Sequence, residues 1–136
     1  MKLLSSKHSE AGVSFSLLLL RFSAGATMLV NHGLKKITGF NEILEKGFFD
    51  PIGIGSKASL YLITFAEVFC AILIIFGLLT RLATIPLIIG MSVIVFLVNK
   101  GDIVGQAELP ALYLAIFIVL LISGPGKYSL DRMIGK

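Results

Sequence analysis

The sequence contains very little cysteine, histidine or charge. Its 136 residues include one cysteine, Cys70, two histidines and no tryptophan, and 15% of them are charged. A single cysteine excludes an intrachain disulfide, a C-x-x-C redox pair and an iron–sulfur site held by one chain. His8 and His32 flank the first apolar run, so we expect them on opposite membrane sides. Haem ligation by both histidines of one chain is therefore excluded, and no metal site is predicted.

Apolar residues are in large excess. They make up 56% of the chain, against roughly 45–50% in soluble domains, where about 25% of residues are charged. The apolar runs are long and continuous, whereas the strands of a membrane barrel alternate over stretches of about ten residues. These features predict an all-α integral membrane protein in contact with the lipid bilayer. The cations behind the net charge of +4 are scattered in short loops, so no nucleic-acid partner is expected.

Four apolar segments predict a four-helix transmembrane bundle that forms one domain over residues 1–136. The predicted spans cover about 13–34, 59–79, 82–98 and 109–124. Ala24-Gly25-Ala26 resembles a signal-peptide cleavage site, but Arg21 just before it disfavours cleavage, so we expect a retained helix. Between spans one and two, an apolar stripe opposed by charged residues predicts a short amphipathic helix on the membrane surface.

Two short motifs mark the ends of spans. Arg81 follows a turn tight enough to force spans two and three into an antiparallel hairpin. Its expected role is to orient the hairpin and to bind carbonyl groups at a helix end. Gly124-Pro125-Gly126 predicts the end of the fourth span.

An even number of spans places both termini on one side of the membrane, together with the Arg81 turn. The two sides carry six and five cations respectively: Lys2, Lys7, Arg81, Lys127, Arg132 and Lys136 against Lys35, Lys36, Lys46, Lys57 and Lys100. Most of the five lie in one longer loop with its own acidic residues. We therefore predict a multi-pass protein of the plasma (inner) membrane with cytoplasmic termini.

Glu67 is the one carboxylate in the apolar stretch 60–79. An ionisable group inside such a segment costs several kcal/mol unless it faces a partner or water, so it marks a candidate functional site. Arg21 lies nine residues before Val30 and Glu67 lies seven residues after Leu60, so their depths match, at about 13 Å and about 10 Å from the outer ends of the two apolar runs. This match predicts an ion pair between spans one and two.

His32 and Glu108 lie near the same outer rim, so the sequence predicts an outer polar cluster of Arg21, His32, Glu67 and Glu108 as a candidate ligand site. Arg21 and His32 share one face of span one with Gly25 and Met28, at spacings i, i+4, i+7 and i+11. Each member also has a structural alternative. Arg21 could bind carbonyl groups of neighbouring helices, His32 could lie at the interface, and Glu108 could interact with the dipole of the fourth helix. No catalytic residue is identified.

Taken together, the motifs resemble those of the DoxX family of small four-span membrane proteins. The residues that carry the resemblance are Leu18-Leu19-Leu20-Arg21 with Gly25, Met28 and His32-Gly33-Leu34-Lys35-Lys36, then Ala66-Glu67-Val68, Gly77-Leu78-Leu79-Thr80-Arg81-Leu82, Pro86-Leu87, Glu108 and Gly124-Pro125-Gly126-Lys127-Tyr128-Ser129-Leu130-Asp131.

The resemblance implies a link to redox or quinone chemistry, because the family takes its name from a subunit of a thiosulfate:quinone oxidoreductase. We therefore expect a membrane subunit of a redox system that binds a quinone-like molecule, with a partner redox subunit or a second copy of itself. A non-enzymatic scaffold or assembly factor is the alternative, and a small-solute transporter is a third. The sequence contains no self-contained catalytic machinery.

Overall fold

A computed structural model describes residues 2–135. Within them the chain forms six helices and no strand. Three are long and apolar enough to cross a membrane: α1 (Glu10–Thr38), α3 (Ser56–Phe76) and α4 (Thr80–Val98). The others, α2, α5 and α6, cover Phe40–Lys46, Glu108–Ser123 and Leu130–Met133.

The prediction of an all-helical membrane protein is confirmed, with three helices of spanning length. The fourth predicted span corresponds to α5, whose 16 residues rise about 24 Å, less than a typical hydrocarbon core. Its crossing of the bilayer stays a prediction. The predicted surface helix is divided at Gly39, since residues up to Thr38 continue α1 and only α2 is separate. The position of α2 on the membrane surface also stays a prediction.

The ends of α1 and α3 differ from the predicted boundaries. α1 continues to Thr38 rather than to about residue 34. α3 ends at Phe76, three residues earlier than predicted, because Gly77 adopts a left-handed conformation with φ of 69°.

α1 and α3 run antiparallel, and two glycines of α1 allow them to approach closely. A Cβ atom built on Gly25 would lie 2.6 Å from Cγ1 of Ile75, and one built on Gly33 would lie 2.7 Å from the carbonyl oxygen of Glu67. Small residues at such positions permit helix contact in membranes, where no hydrophobic effect drives helices together. The two contacts fix the register of α1 against α3 where residues 25–33 pack against residues 67–75.

Different segments of the chain form the two ends of the bundle. The terminal face holds the start of α1, the turn at residues 77–79 and the C-terminal segment 124–135. That segment packs on α1, since the Lys127 amide donates to Oγ of Ser14 at 3.4 Å. The loop face holds residues 39–55 and 99–107.

α1, α3 and α4 each contain one π-helical turn, at Leu29–Gly33, Ala66–Cys70 and Ile94–Val98. All three turns lie toward the loop face, and the turns of α1 and α3 contact each other. A π-turn adds one residue to a helical turn and is frequent at functional sites. His32 and Glu67 both lie within these turns.

Candidate functional site

The carboxylate of Glu67 is buried at the contact of α1 and α3. Only 1% of its side chain is exposed, and its Oε2 atom lies 2.7 Å from Nζ of Lys36 on α1. The Lys36 side chain is 19% exposed, so it reaches from the surface of the bundle down to the carboxylate. The burial cost of Glu67 is therefore offset by a cation that remains in contact with the surroundings.

Gly33 positions this ion pair. Its missing side chain lets α1 lie directly on the Glu67 backbone, and Lys36 follows three residues later along the same helix. Any larger residue at 33 would meet the Glu67 carbonyl group and the Val68 side chain, both at 2.7 Å. The close approach thus sets the distance that the Lys36 side chain must span.

His32 and Tyr113 extend the polar region towards α5. Their rings meet edge to face with centroids 5.7 Å apart. The Tyr113 hydroxyl donates to Oγ1 of Thr27 at 2.8 Å, and only 7% of the tyrosine is exposed. We call Thr27, His32, Lys36, Glu67 and Tyr113 the loop-face cluster.

The predicted ion pair between Arg21 and Glu67 is wrong. Arg21 is fully buried, but its Nη1 atom donates to the carbonyl oxygens of Ile74 at 3.3 Å and Ile75 at 3.2 Å, and Nη2 donates to that of Tyr128. The depth estimate failed because it counted from Val30, the end of the uninterrupted apolar run. With α1 extending to Thr38, Lys36 rather than Arg21 lies level with Glu67.

Arg21 belongs instead to a junction at the terminal face. Asp131 accepts hydrogen bonds from the Leu79 amide at 2.7 Å and the Thr80 amide at 3.0 Å. These are the first donors of α4, so Asp131 caps that helix, and its charge also acts on Arg21. We call Arg21, Gly77, Tyr128 and Asp131 the terminal junction.

The structure does not bring the four predicted cluster residues together. His32 and Glu67 lie in the loop-face cluster, and Arg21 lies in the terminal junction. Glu108 is exposed and is the first residue of α5. At that position its carboxylate can interact with the dipole of the helix, as its structural alternative proposes. Their role in ligand binding stays a prediction.

Arg81 and Gly124, which were assigned to span ends, lie at the ends of helices. The Arg81 side chain donates to the Ile122 carbonyl oxygen at 3.3 Å, near the C-terminus of α5. Gly124 ends α5 with φ of 81°, and a Cβ atom there would lie 3.3 Å from Nη2 of Arg81.

Sequence reasoning missed Lys36 and Tyr113 as members of the site. Lys36 lies four residues after His32 and so continues the face that carries Arg21, Gly25, Met28 and His32. Following that face for one more turn identifies Lys36. No local signal marks Tyr113, which depends on how α5 packs against α1.

The family model described as DoxX matches residues 16–100. An uncharacterised membrane protein of Mycobacterium tuberculosis is 32% identical over 89% of this chain and 82% of its own length. An uncharacterised protein of Haemophilus influenzae is 31% identical over 96% of this chain and 90% of its own. A Bacillus subtilis protein named "Putative oxidoreductase CatD" is 32% identical over 88% of this chain and 87% of its own. No solved structure matches the chain.

Proposed function

Since this chain belongs to the DoxX family, we propose that it is a membrane subunit of a redox system and binds a quinone-like head group at the loop-face cluster. The observation that carries the proposal is the buried Glu67 carboxylate, held by one lysine that still reaches the surface. The name of the Bacillus subtilis relative supports a link to redox chemistry. The proposed setting is the plasma membrane, with cytoplasmic termini and a partner redox subunit or a second copy of the chain.

The cluster offers the groups that a quinone and its reduced form need. A quinone carbonyl oxygen accepts hydrogen bonds, which the Lys36 ammonium and the His32 ring can donate. A hydroquinone hydroxyl donates a proton, which the Glu67 carboxylate can accept. The aromatic ring of Tyr113 provides an apolar surface beside these polar groups. The chain supplies binding and proton exchange, and electrons would come from a partner.

Lys36 is the residue that we expect to move. Its ammonium occupies the position beside Glu67 in this structure, and its flexible four-carbon stem can swing outward to the interface. A head group entering beside Glu67 would then replace that contact while Lys36 donates to the carbonyl oxygen.

Titration of the purified protein in mild detergent with decylubiquinone tests the proposal. Glu67→Gln keeps the shape of the side chain but removes the proton acceptor and the partner of Lys36. We expect it to weaken binding by about tenfold or more, as for loss of a buried charged contact. Glu45→Gln makes the same chemical change at an exposed position of α2 and should leave binding unchanged. No measurable binding to the wild-type protein would overturn the proposal.

The scaffold alternative has its own observation, because the Lys36–Glu67 contact joins α1 to α3. Exchange of the two charges in Lys36→Glu with Glu67→Lys separates the two roles. A scaffold requires only the pair, so the exchanged protein should fold and keep its partners. A ligand site requires the acid on α3, so the exchanged protein should fold but fail to bind decylubiquinone.

A further inference from the structure

A cleft lies at the terminal face, away from the loop-face cluster. It has a volume of about 1020 Å³ and opens between the start of α1, the start of α4 and the segment after α5. From Glu10 to Leu17, its wall on α1 extends about 10 Å along the helix axis. The cleft therefore runs along the start of α1, a helix that is long and apolar enough to cross a membrane.

Apolar side chains and cations line different parts of the cleft. Ala11, Val13, Leu17 and Leu82 form apolar surface along the helices. Three cations border the cleft at the end of the bundle: Arg81, Lys127 and Arg132. The side chains of all three are exposed.

Two acidic residues, Glu10 and Asp131, also line the cleft. The net charge of the lining stays positive despite them. Asp131 binds the first amides of α4 and interacts with the buried Arg21, so its charge is engaged in the terminal junction. Glu10 lies at the first turn of α1. Three cations therefore face one remaining carboxylate.

We propose that this cleft binds an anionic phospholipid, with its headgroup phosphate between Arg81, Lys127 and Arg132 and its acyl chains along the apolar wall of α1. A soluble phosphate would use the cations but not the apolar wall, whereas a zwitterionic lipid would use the wall but bring its own cation. Basic pockets between helix ends bind anionic headgroups in this way. The Arg guanidinium groups favour bidentate phosphate contacts.

Native mass spectrometry of the delipidated full chain tests the proposal by titration with phosphatidylglycerol and with phosphatidylcholine of the same acyl chains. We expect phosphatidylglycerol to bind at least about tenfold more tightly. Millimolar glycerol 3-phosphate should not displace it. Equal affinity for the two lipids would overturn the proposal, and displacement by glycerol 3-phosphate would overturn the assignment to a lipid.

Charge removal has a matched control in this chain. The variant Arg81→Gln, Lys127→Gln, Arg132→Gln should lower the affinity for phosphatidylglycerol by about tenfold or more. The variant Lys46→Gln, Lys57→Gln, Lys100→Gln removes the same charge from exposed loop-face positions and should change it less than about twofold. Equal losses in the two variants would show general electrostatic attraction and contradict a specific site.

A steric variant keeps the test decisive should the charge variant fail to fold. Ala11 is exposed and lines the cleft, so Ala11→Phe fills the apolar wall without altering any charge. We expect it to lower the affinity for phosphatidylglycerol by about tenfold. Unchanged affinity would show that the lipid does not lie along α1.

Discussion

The terminal junction and the loop-face cluster bury charge on the same two helices in opposite ways. Arg21 distributes its donors over three backbone carbonyl oxygens from two different segments and is fully buried. Glu67 has a lysine partner that is 19% exposed. Backbone carbonyl groups cannot leave, whereas a lysine on a flexible stem can. The first arrangement therefore joins parts of the chain, and the second can exchange its partner for a ligand.

Each region also depends on a glycine beside its charged group. Gly77 lies against the Arg21 guanidinium and the Ser129 side chain, and Gly33 lies against the Glu67 backbone. Gly77 has a positive φ and Gly33 is helical. The terminal junction thus requires both space and an unusual backbone conformation, while the loop-face cluster requires only space.

The largest expected effect comes from removing the Arg21 charge. Arg21→Met leaves the Ile74, Ile75 and Tyr128 carbonyl groups without their donor, so we expect the free energy of unfolding to fall by about 3–5 kcal/mol. Titration with sodium dodecyl sulfate in mixed micelles, followed by circular dichroism, measures it. Arg81→Met removes an exposed cation with one carbonyl contact and should cost less than about 1 kcal/mol. Similar losses would contradict the structural role of Arg21.

A methyl group at Gly77 tests the space in the terminal junction. Gly77→Ala combines a left-handed backbone conformation with contact against Arg21 and Ser129, so we expect a loss of about 2–4 kcal/mol. Gly53→Ala has a similar φ of 73° but nothing within 4 Å of the new methyl group, so it should lose only about 1–2 kcal/mol. The difference isolates the contact with Arg21 and Ser129, and no difference would show that the junction can adjust.

The terminal junction, which Arg21→Met and Gly77→Ala test, was predicted only in part from the sequence. Hydropathy identified the long helices because continuous apolar residues determine where they lie, and Gly124 identified where α5 ends. The end of α3 was predicted three residues too late, at residue 79 rather than at Phe76. The partner of Glu67 could not be identified in this way. Arg21 and Lys36 are 15 residues apart, about 22 Å along a helix. The depth of Arg21 was counted from residue 30, whereas α1 continues to Thr38, and this difference made Arg21 rather than Lys36 the predicted partner.

A methyl group at Gly33 tests the loop-face cluster. Gly33→Ala places a carbon 2.7 Å from the Glu67 carbonyl oxygen, so α1 must move away from α3 and the Lys36–Glu67 distance must increase. We expect the free energy of unfolding to fall by about 1–3 kcal/mol and the affinity for decylubiquinone to fall with it. Gly39→Ala, just after the end of α1, meets the Lys35 carbonyl oxygen at 3.2 Å and Cδ1 of Ile43 at 4.0 Å. Loss of binding in the control would contradict a local effect.

The smallest expected effect is the response of the loop before α3 to pH. Asp50 accepts hydrogen bonds from the Gly55 amide, the Ser59 hydroxyl and the Ile54 amide, and these lower the pKa of its carboxyl. A lowered pKa stabilises the folded loop above the unfolded pKa, and this contribution is lost as pH falls through the folded value. Proteolysis within residues 47–55 should therefore increase below about pH 4, and Asp50→Asn should remove that dependence. A dependence that persists in Asp50→Asn would assign it to another group.

The difference between the two regions is tested most directly by locating the ligand. A photoreactive azido-quinone is crosslinked to the protein in detergent, and the labelled peptides are mapped by mass spectrometry with excess decylubiquinone as competitor. The account predicts competed label on residues 27–36, 63–70 or 113, which surround the Lys36–Glu67 ion pair. Competed label confined to residues 74–81 and 124–132 would place the ligand at the terminal face and contradict the assignment of the loop-face cluster as the binding site.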